Sequence, residues 1–448
     1  MLFRFTPDTK DNSFIAKKNV TVSLVVKGAS LMVAFFMTPA YLYYFSAESV
    51  MGVWFTVLSV LAWILNCDMG IGNGLRNNLV YAINANDWDK AKKLISSSYI
   101  FLGIIGAAIL LILLLIGLII NWNVVFNIET KIIDRQTMTK VMSVLIVSII
   151  LQFFLRLVTS ILYALQEAFL PGLLNLITNV ILLCYVNIAN FLGINDSIVR
   201  LAIVYLFAVN IPLMVATVWV FVKKLPHSRP SYKYYNKQYA SQVIKVGSTF
   251  LWLQLVAMVV DNTNNYLIAL FIGSDAVVEY QLYNSIFGVP ITLLIIYATS
   301  IWSTITKAKA ESNYSWIKSN YKKSMIIMTL IVVSELLIIL FIQLIFNIWL
   351  GEKTIIVNYK VAAIMALYSS VMGLRTILCA YSNGLCELKI QIKYMTIGAV
   401  TNIPIAYFIS RIYDSYLAIV IANIISMIPF CVIQLQWCHL NVVKHKQA

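Results

Sequence analysis

The chain alternates between long apolar runs and short polar breaks. In order, the runs cover about 20–44, 50–67, 98–120, 139–163, 172–190, 198–222, 243–272, 281–303, 323–347, 360–382, 394–410 and 416–436. Most approach or exceed the roughly 20 residues that a helix needs to cross about 30 Å of hydrocarbon. Membrane-crossing strands would instead give shorter segments of alternating polarity. The pattern predicts an all-α polytopic membrane protein of about twelve transmembrane helices. Residues 1–19 form a polar, basic tail in which Phe3, Phe5 and Phe14 suit a short interfacial amphipathic helix.

The first long polar break follows the second run, from Asp68 to Ser98. It opens with Asp68, Gly70, Gly72, Gly74 and Arg76 and ends in a helix-like stretch carrying Lys90, Lys92 and Lys93. The glycines are not a phosphate loop, because no Gly-Lys-Ser/Thr follows and no strand precedes them. They are expected to end the second span in a tight turn near Arg76, with Asp68 at the boundary.

The break has a counterpart later in the chain. NANDWDKAKK (84–93) resembles AESNYSWIKS (310–319) at an offset of 226, and FSAESV (45–50) resembles IGSDAV (272–277) at 227. Asn179 would match Asn402 at an offset of 223. Three similarities in order at nearly one offset predict a duplicated six-span unit with parallel repeats. Pro226, Pro230 and the basic charge of 223–242 mark the join. The expected organisation is a six-helix bundle over 1–222, a cytoplasmic basic linker over 223–242 and a second six-helix bundle over 243–448, around a central cavity.

Composition sharpens the class. Hydrophobic residues make up 61% of the 448 and charged residues 11%, where a soluble domain has about a quarter charged. The net charge of +15 does not point to nucleic acid, because Lys and Arg are concentrated in the loops between spans. With the N-terminus inside, the inner segments carry 22 of them and the outer loops 4, so both termini are expected in the cytoplasm. The six cysteines have no CxxC spacing, and His227, His439 and His445 form no cluster. No metal and no cofactor is expected beyond a possible coupling ion, H+ or Na+.

Charged residues inside spans carry the functional signal, because they usually face protein or water rather than lipid. Lys27, Arg156 and Arg375 each lie about seven residues from an inner span end, roughly 10 Å above the cytoplasmic boundary. Ser23 and Ser30 share a helical face with Lys27; Gln152, Thr159, Ser160 and Tyr163 share one with Arg156; Tyr368, Cys379 and Ser382 accompany Arg375. A set of cations at one depth suits an anionic group drawn from the inner leaflet. Side chains this close to an interface can also snorkel to headgroups. Asp261 lies deeper, on a face with Gln254 and Asn264 or Asn265. It can carry a coupling ion, contact sugar hydroxyls with the Asn side chains, or sit in an ion pair with Lys245 or another span. Glu335 is a second candidate proton carrier. Pro171, Pro212, Pro290 and Pro404 can kink helices where spans must bend.

Twelve spans, the 6+6 repeat and Asp68-Met69-Gly70-Ile71-Gly72-Asn73-Gly74-Leu75-Arg76-Asn77 followed by NDWDKAKKLIS together resemble a known family. It is the polysaccharide transporter family of the multidrug/oligosaccharidyl-lipid/polysaccharide (MOP) exporter superfamily, and within it the O-antigen (Wzx-type) flippases. The resemblance implies two six-helix bundles around a V-shaped cavity. It implies a flippase, not an enzyme, that moves undecaprenyl-pyrophosphate-linked oligosaccharide from the cytoplasmic to the periplasmic leaflet of the bacterial inner membrane. Alternating access coupled to an ion gradient would drive it, with a polysaccharide polymerase and a chain-length regulator as possible partners. A multidrug exporter of the same superfamily is the rival, disfavoured because cations outnumber acids within the spans. A glycan polymerase is disfavoured by the short outer loops.

Overall fold

The computed structural model describes residues 9–66, 70–126, 128–194, 197–272, 274–350 and 355–443. Among them every regular element is helical. In chain order the helices are α1 (Thr9–Tyr44), α2 (Glu48–Asn66), α3 (Ile71–Asn84), α4 (Trp88–Ile119), the short α5 (Trp122–Val125), α6 (Arg135–Leu155), α7 (Leu157–Ala164), α8 (Leu170–Phe191) and α9 (Ile198–Trp219). They continue as α10 (Lys237–Asn262), α11 (Asn264–Phe271), α12 (Ser274–Ala310), α13 (Tyr314–Leu350), α14 (Tyr359–Leu385), α15 (Lys389–Ile412) and α16 (Leu417–Cys438). Among the described residues, eleven helical stretches are long and apolar enough to cross a membrane. The expected span 50–67 runs as the 19-residue α2, outside those eleven. The chain is a multi-pass membrane protein.

Two expected spans are each built from two helices. α6 gives way to α7 at Arg156, and α10 gives way to α11 at Thr263, inside the polar run DNTNN. Side chains of Asn, Asp and Thr compete with the helix for its own backbone groups, which accounts for a break there. Pro212, Pro290 and Pro404 lie inside α9, α12 and α15, and Pro171 sits in the first turn of α8. That position tolerates Pro, since its missing N–H would have had no helical partner.

The chain divides into two compact units, residues 17–251 and residues 1–16 with 252–448. The first unit holds two apolar cores. One gathers Trp54, Tyr44 and Val57 with Leu145 and Leu201. The other gathers Leu75, Leu79, Leu94 and Ile95 with Val158, Ile161 and Val243. In the second unit α14 and α16 bury 56% and 67% of their apolar windows and α13 only 17%, so α14 and α16 form its interior. Polar groups carried by those two helices must therefore find partners within the protein.

The segment after the second span is not the simple turn its glycines suggest. Only Gly70 is left-handed, at φ +65°, and residues 71–84 continue as α3. A Cβ at Gly70 would lie 1.9 Å from the Gly247 carbonyl oxygen, and one at Gly74 would lie 2.4 Å from that of Val243. Gly70 and Gly74 are thus small so that α3 can lie directly on the α10 backbone, and Gly72 is buried beside them. Arg76 is buried too, its guanidinium 4.4 Å from the Tyr163 ring centroid. Asp68 lies outside the described residues.

Residues 223–242 are tied to α4 rather than free. Ser97 Oγ donates to the Asn236 carbonyl (3.2 Å) and accepts from its N–H (3.0 Å). Ser96 Oγ accepts from the Ser231 N–H (3.1 Å), and Lys92 Nζ sits 3.8 Å from the Tyr234 ring centroid. The run Ser96–Ser98 is fully buried for this reason, although the sequence reads it as the edge of a loop.

Left-handed turn residues recur at similar spacings in the chain. Asn86 and Ser312, separated by the predicted offset, both have φ 55°. Gln166 and Cys386 are likewise left-handed, at 64° and 58°. Asp134 caps α6, its Oδ2 accepting from the Thr137 N–H at 3.0 Å. The Thr137 hydroxyl and amide hold that carboxyl below the ordinary carboxylate range.

Candidate functional site

The polar groups of the second unit converge on α14. Arg375 sits near the middle of that helix and is only 9% exposed. Its Nη2 donates to both oxygens of Asp261, at 2.8 and 2.9 Å. The pair joins α14 to the end of α10, two residues before the break at Thr263. Of the alternatives open for Asp261, an ion pair with another span is the one formed, and the partner is Arg375 rather than Lys245. The Asp261 side chain keeps 38% of its surface accessible, whereas that of Arg375 keeps 11%. Arg375 Nη1 is buried and has no hydrogen-bond partner.

A chain of neutral polar groups lies on the next turns. Asn264 Nδ2 donates to the hydroxyls of Tyr280 (3.1 Å) and Tyr368 (3.3 Å). Asn264 Oδ1 accepts from Asn423 Nδ2 (2.7 Å), and Asn423 Oδ1 accepts from Asn402 Nδ2 (2.9 Å). Five helices, α11, α12, α14, α15 and α16, meet in this network. Its three asparagines are buried, and Asn402 Oδ1 ends it without a partner. Asn265 points elsewhere: it is exposed, and its Oδ1 accepts from Gln281 Nε2 at 2.8 Å. Sequence reasoning identified Asn264 and noted Tyr368, but missed Tyr280 and Asn423. The available signal was a single Asn in an otherwise apolar span, which in hydrocarbon must find a partner.

Glu335, on α13, is 1% exposed. Ser370 Oγ donates to its Oε2, and Oε1 is buried with no partner. Among the described residues it forms no ion pair, so it stands apart from the Arg375–Asp261 pair.

Lys27 and Arg156 belong to the first unit. Lys27 is half-buried on α1 and makes no ion pair among the described residues. Its face-mate Ser30 turns its hydroxyl to the Val26 carbonyl (2.8 Å), inside its own helix. Arg156 occupies the α6–α7 break, and its Nη1 donates to the Leu65 carbonyl at 2.7 Å. That carbonyl belongs to the last turn of α2, where backbone acceptors lack helical donors and a cation is favoured. Arg156 also lines a small recess with Ile71, Gly72, Leu102, Phe153, Leu157 and Ser160. Among the described residues no group of His, Cys, Asp and Glu could hold a metal ion.

No protein-family model matches the chain, and no curated protein matches it. Solved structures do. An outward-facing multidrug resistance MATE family transporter of the MOP superfamily shares 15% identity and a TM-score of 0.75, covering 99% of this chain and 100% of that one. A MATE structure in complex with MaD3S shares 16% identity and a TM-score of 0.74, covering 99% and 100%. A MOP superfamily transporter from Pyrococcus furiosus, whose binding pocket is described as reversed in polarity and suggestive of a different function, shares 15% identity and a TM-score of 0.74, covering 98% and 97%. At these identities the likeness establishes the fold: the chain has the fold of the MATE transporters of the MOP superfamily.

Proposed function

We propose that the protein is a transporter of the MOP superfamily that flips a lipid-linked anionic glycan, an undecaprenyl-pyrophosphate-linked oligosaccharide, from the cytoplasmic to the periplasmic leaflet. The observation that carries this reading is Arg375: a buried guanidinium in the membrane interior with an unused donor at Nη1. Arg forks match phosphate oxygens in geometry and charge. Lys27 and Arg156 add positive charge in the first unit, and the Asn and Tyr side chains near Arg375 are of the kind that hydrogen-bond sugar hydroxyls.

Transport proceeds by alternating access, with both termini in the cytoplasm of a bacterial cell and the inner membrane as its site. Coupling to H+ falls to Glu335, the buried acid that has no cationic partner among the described residues, because Asp261 is engaged with Arg375. The polymerase and chain-length regulator of an export pathway would receive the flipped unit.

A multidrug exporter is the second reading. It is favoured by the multidrug transporter of like fold and by the accessible carboxylate of Asp261, which suits a cationic drug. One experiment separates the two. In a strain lacking the gene, lipid-linked glycans are assigned to a leaflet with an impermeant probe. Complete units trapped on the inner leaflet support the flippase. Unchanged glycans with new drug sensitivity replace it with the exporter, and single unpolymerised units at the surface indicate a polymerase.

A further inference from the structure

The Arg375–Asp261 pair is lopsided in three ways. One nitrogen of the guanidinium, Nη2, straddles both carboxylate oxygens, so the pair is not the parallel two-nitrogen fork that Arg and a carboxylate can form. The second nitrogen, Nη1, is left buried and unpartnered. The cation is enclosed while the anion keeps 38% of its side chain accessible. Asp261 also stands at the end of α10, next to a helix break, where its side chain can withdraw without dismantling a continuous helix.

The other titratable groups near the pair are Tyr368 and Cys379 on α14, Tyr280 on α12 and Cys431 on α16. All four are neutral near pH 7 at their ordinary pKa values. Among the described residues Asp261 is thus the group that neutralises Arg375 here. A buried guanidinium stripped of its counter-ion is strongly disfavoured. A carrier that binds an anion on such a group has to reorient empty as well as loaded, and in the empty state it needs a substitute anion.

The geometry points to Asp261 as that substitute. In the empty carrier its carboxylate occupies Arg375. An incoming phosphate-type anion displaces it, engages Nη1 as well as Nη2, and gives way to Asp261 again on release. This rests on the reading of the cargo as a pyrophosphate-linked lipid, and it makes Asp261 an intramolecular competitor that sets affinity and permits return. Two charges face each other in either state, Arg375 with Asp261 or Arg375 with the cargo, so neither step buries a bare cation.

The test uses the full-length protein in lipid nanodiscs, with geranyl pyrophosphate and inorganic pyrophosphate as probes. Asp261→Asn removes the competitor and should bind geranyl pyrophosphate roughly ten- to a hundredfold more tightly than wild type, the gain expected when a seat open only a few per cent of the time becomes fully open. In the Arg375→Gln background the same substitution should change nothing. If Asp261→Asn loses stability, the probe should raise its melting temperature more than that of wild type, and should not raise that of the double variant. Turnover of Asp261→Asn should stall after one cargo, because the empty form cannot return.

Binding by Asp261→Asn no tighter than by wild type, with Arg375→Gln weakened, overturns the displacement and leaves the flippase reading standing. Equal binding by wild type and Arg375→Gln overturns Arg375 as the seat. Equal affinity for the two probes assigns the seat to a free anion, which overturns the lipid-linked cargo while the displacement holds.

Discussion

Asn86 and Ser312 occupy the same turn in the two halves of the chain. Asn86 N–H donates to the Ile83 carbonyl and Ser312 N–H to that of Lys309, both at 3.0 Å. The following residues, Asp87 and Asn313, donate five residues back to Ala82 and Ala308. Each of these two side chains then caps the next helix, on Lys90 N–H at 2.9 Å and on Trp316 N–H at 3.1 Å. The same three hydrogen bonds therefore recur 226 residues apart at this turn. The turns at Gln166 and Cys386 share the first two hydrogen bonds of this pattern and stand 220 residues apart.

A left-handed residue with a Cβ is strained, and a β-branched one more so. Ser312→Val is expected to lower stability by about 1–2 kcal/mol, and Ser312→Gly to leave it unchanged or raise it. Thermal unfolding of the purified variants in detergent measures both. A Val variant as stable as wild type would contradict the turn geometry.

The glycine seam makes a sharper prediction. Gly74→Ala places a methyl 2.4 Å from the Val243 carbonyl oxygen, and backbone cannot give way as a side chain can. Overpacking of this kind costs about 1–3 kcal/mol. Gly106→Ala, whose methyl would meet only the Ile150 side chain at 3.6 Å, should cost less. The ranking of melting temperatures, Gly106→Ala above Gly74→Ala, is the expected outcome.

Arg156 has a structural duty at Leu65 and a proposed functional one. Arg156→Gln keeps a donor for the Leu65 carbonyl but removes the charge. It should hold protein abundance and shift stability by no more than about 1 kcal/mol, while glycan export falls. Arg156→Lys should keep export in part, since it keeps the charge but not the planar fork. Normal export by Arg156→Gln at wild-type abundance would remove Arg156 from the substrate path.

Asp134 gives a pH dependence. Its folded-state pKa is depressed, chiefly by the Thr137 hydroxyl and then by the Thr137 amide. The stabilisation is therefore complete above the unfolded value, about 3.9, and is lost as pH falls through the folded value. Asp134→Asn retains a good capping side chain without the charge and should respond less to acid. The expected result is that wild type is the more stable near pH 7 and that the gap narrows toward pH 3, read as melting temperature.

The sequence by itself determined the class of protein and the placement of its helices. Runs of about 20 apolar residues have few alternatives in a membrane, and that constraint is local. It also placed Arg375, Asp261 and Glu335 inside spans, because a charge in an apolar run is visible without any partner. Helical periodicity put Asp261 on one face with Asn264 or Asn265. Partnership was decided only by the tertiary structure. Arg375 and Asp261 are 114 positions apart, and their meeting depends on how α10 packs against α14, which no local pattern encodes. The same holds for Arg156, read from depth as one of a set of cations and found to hold the end of α2. It holds for Gly70 and Gly74, read as a turn and found to be the flat side of a helix against another backbone. Periodicity reports which face of a helix is polar or small; what fills that face is set by packing between distant segments.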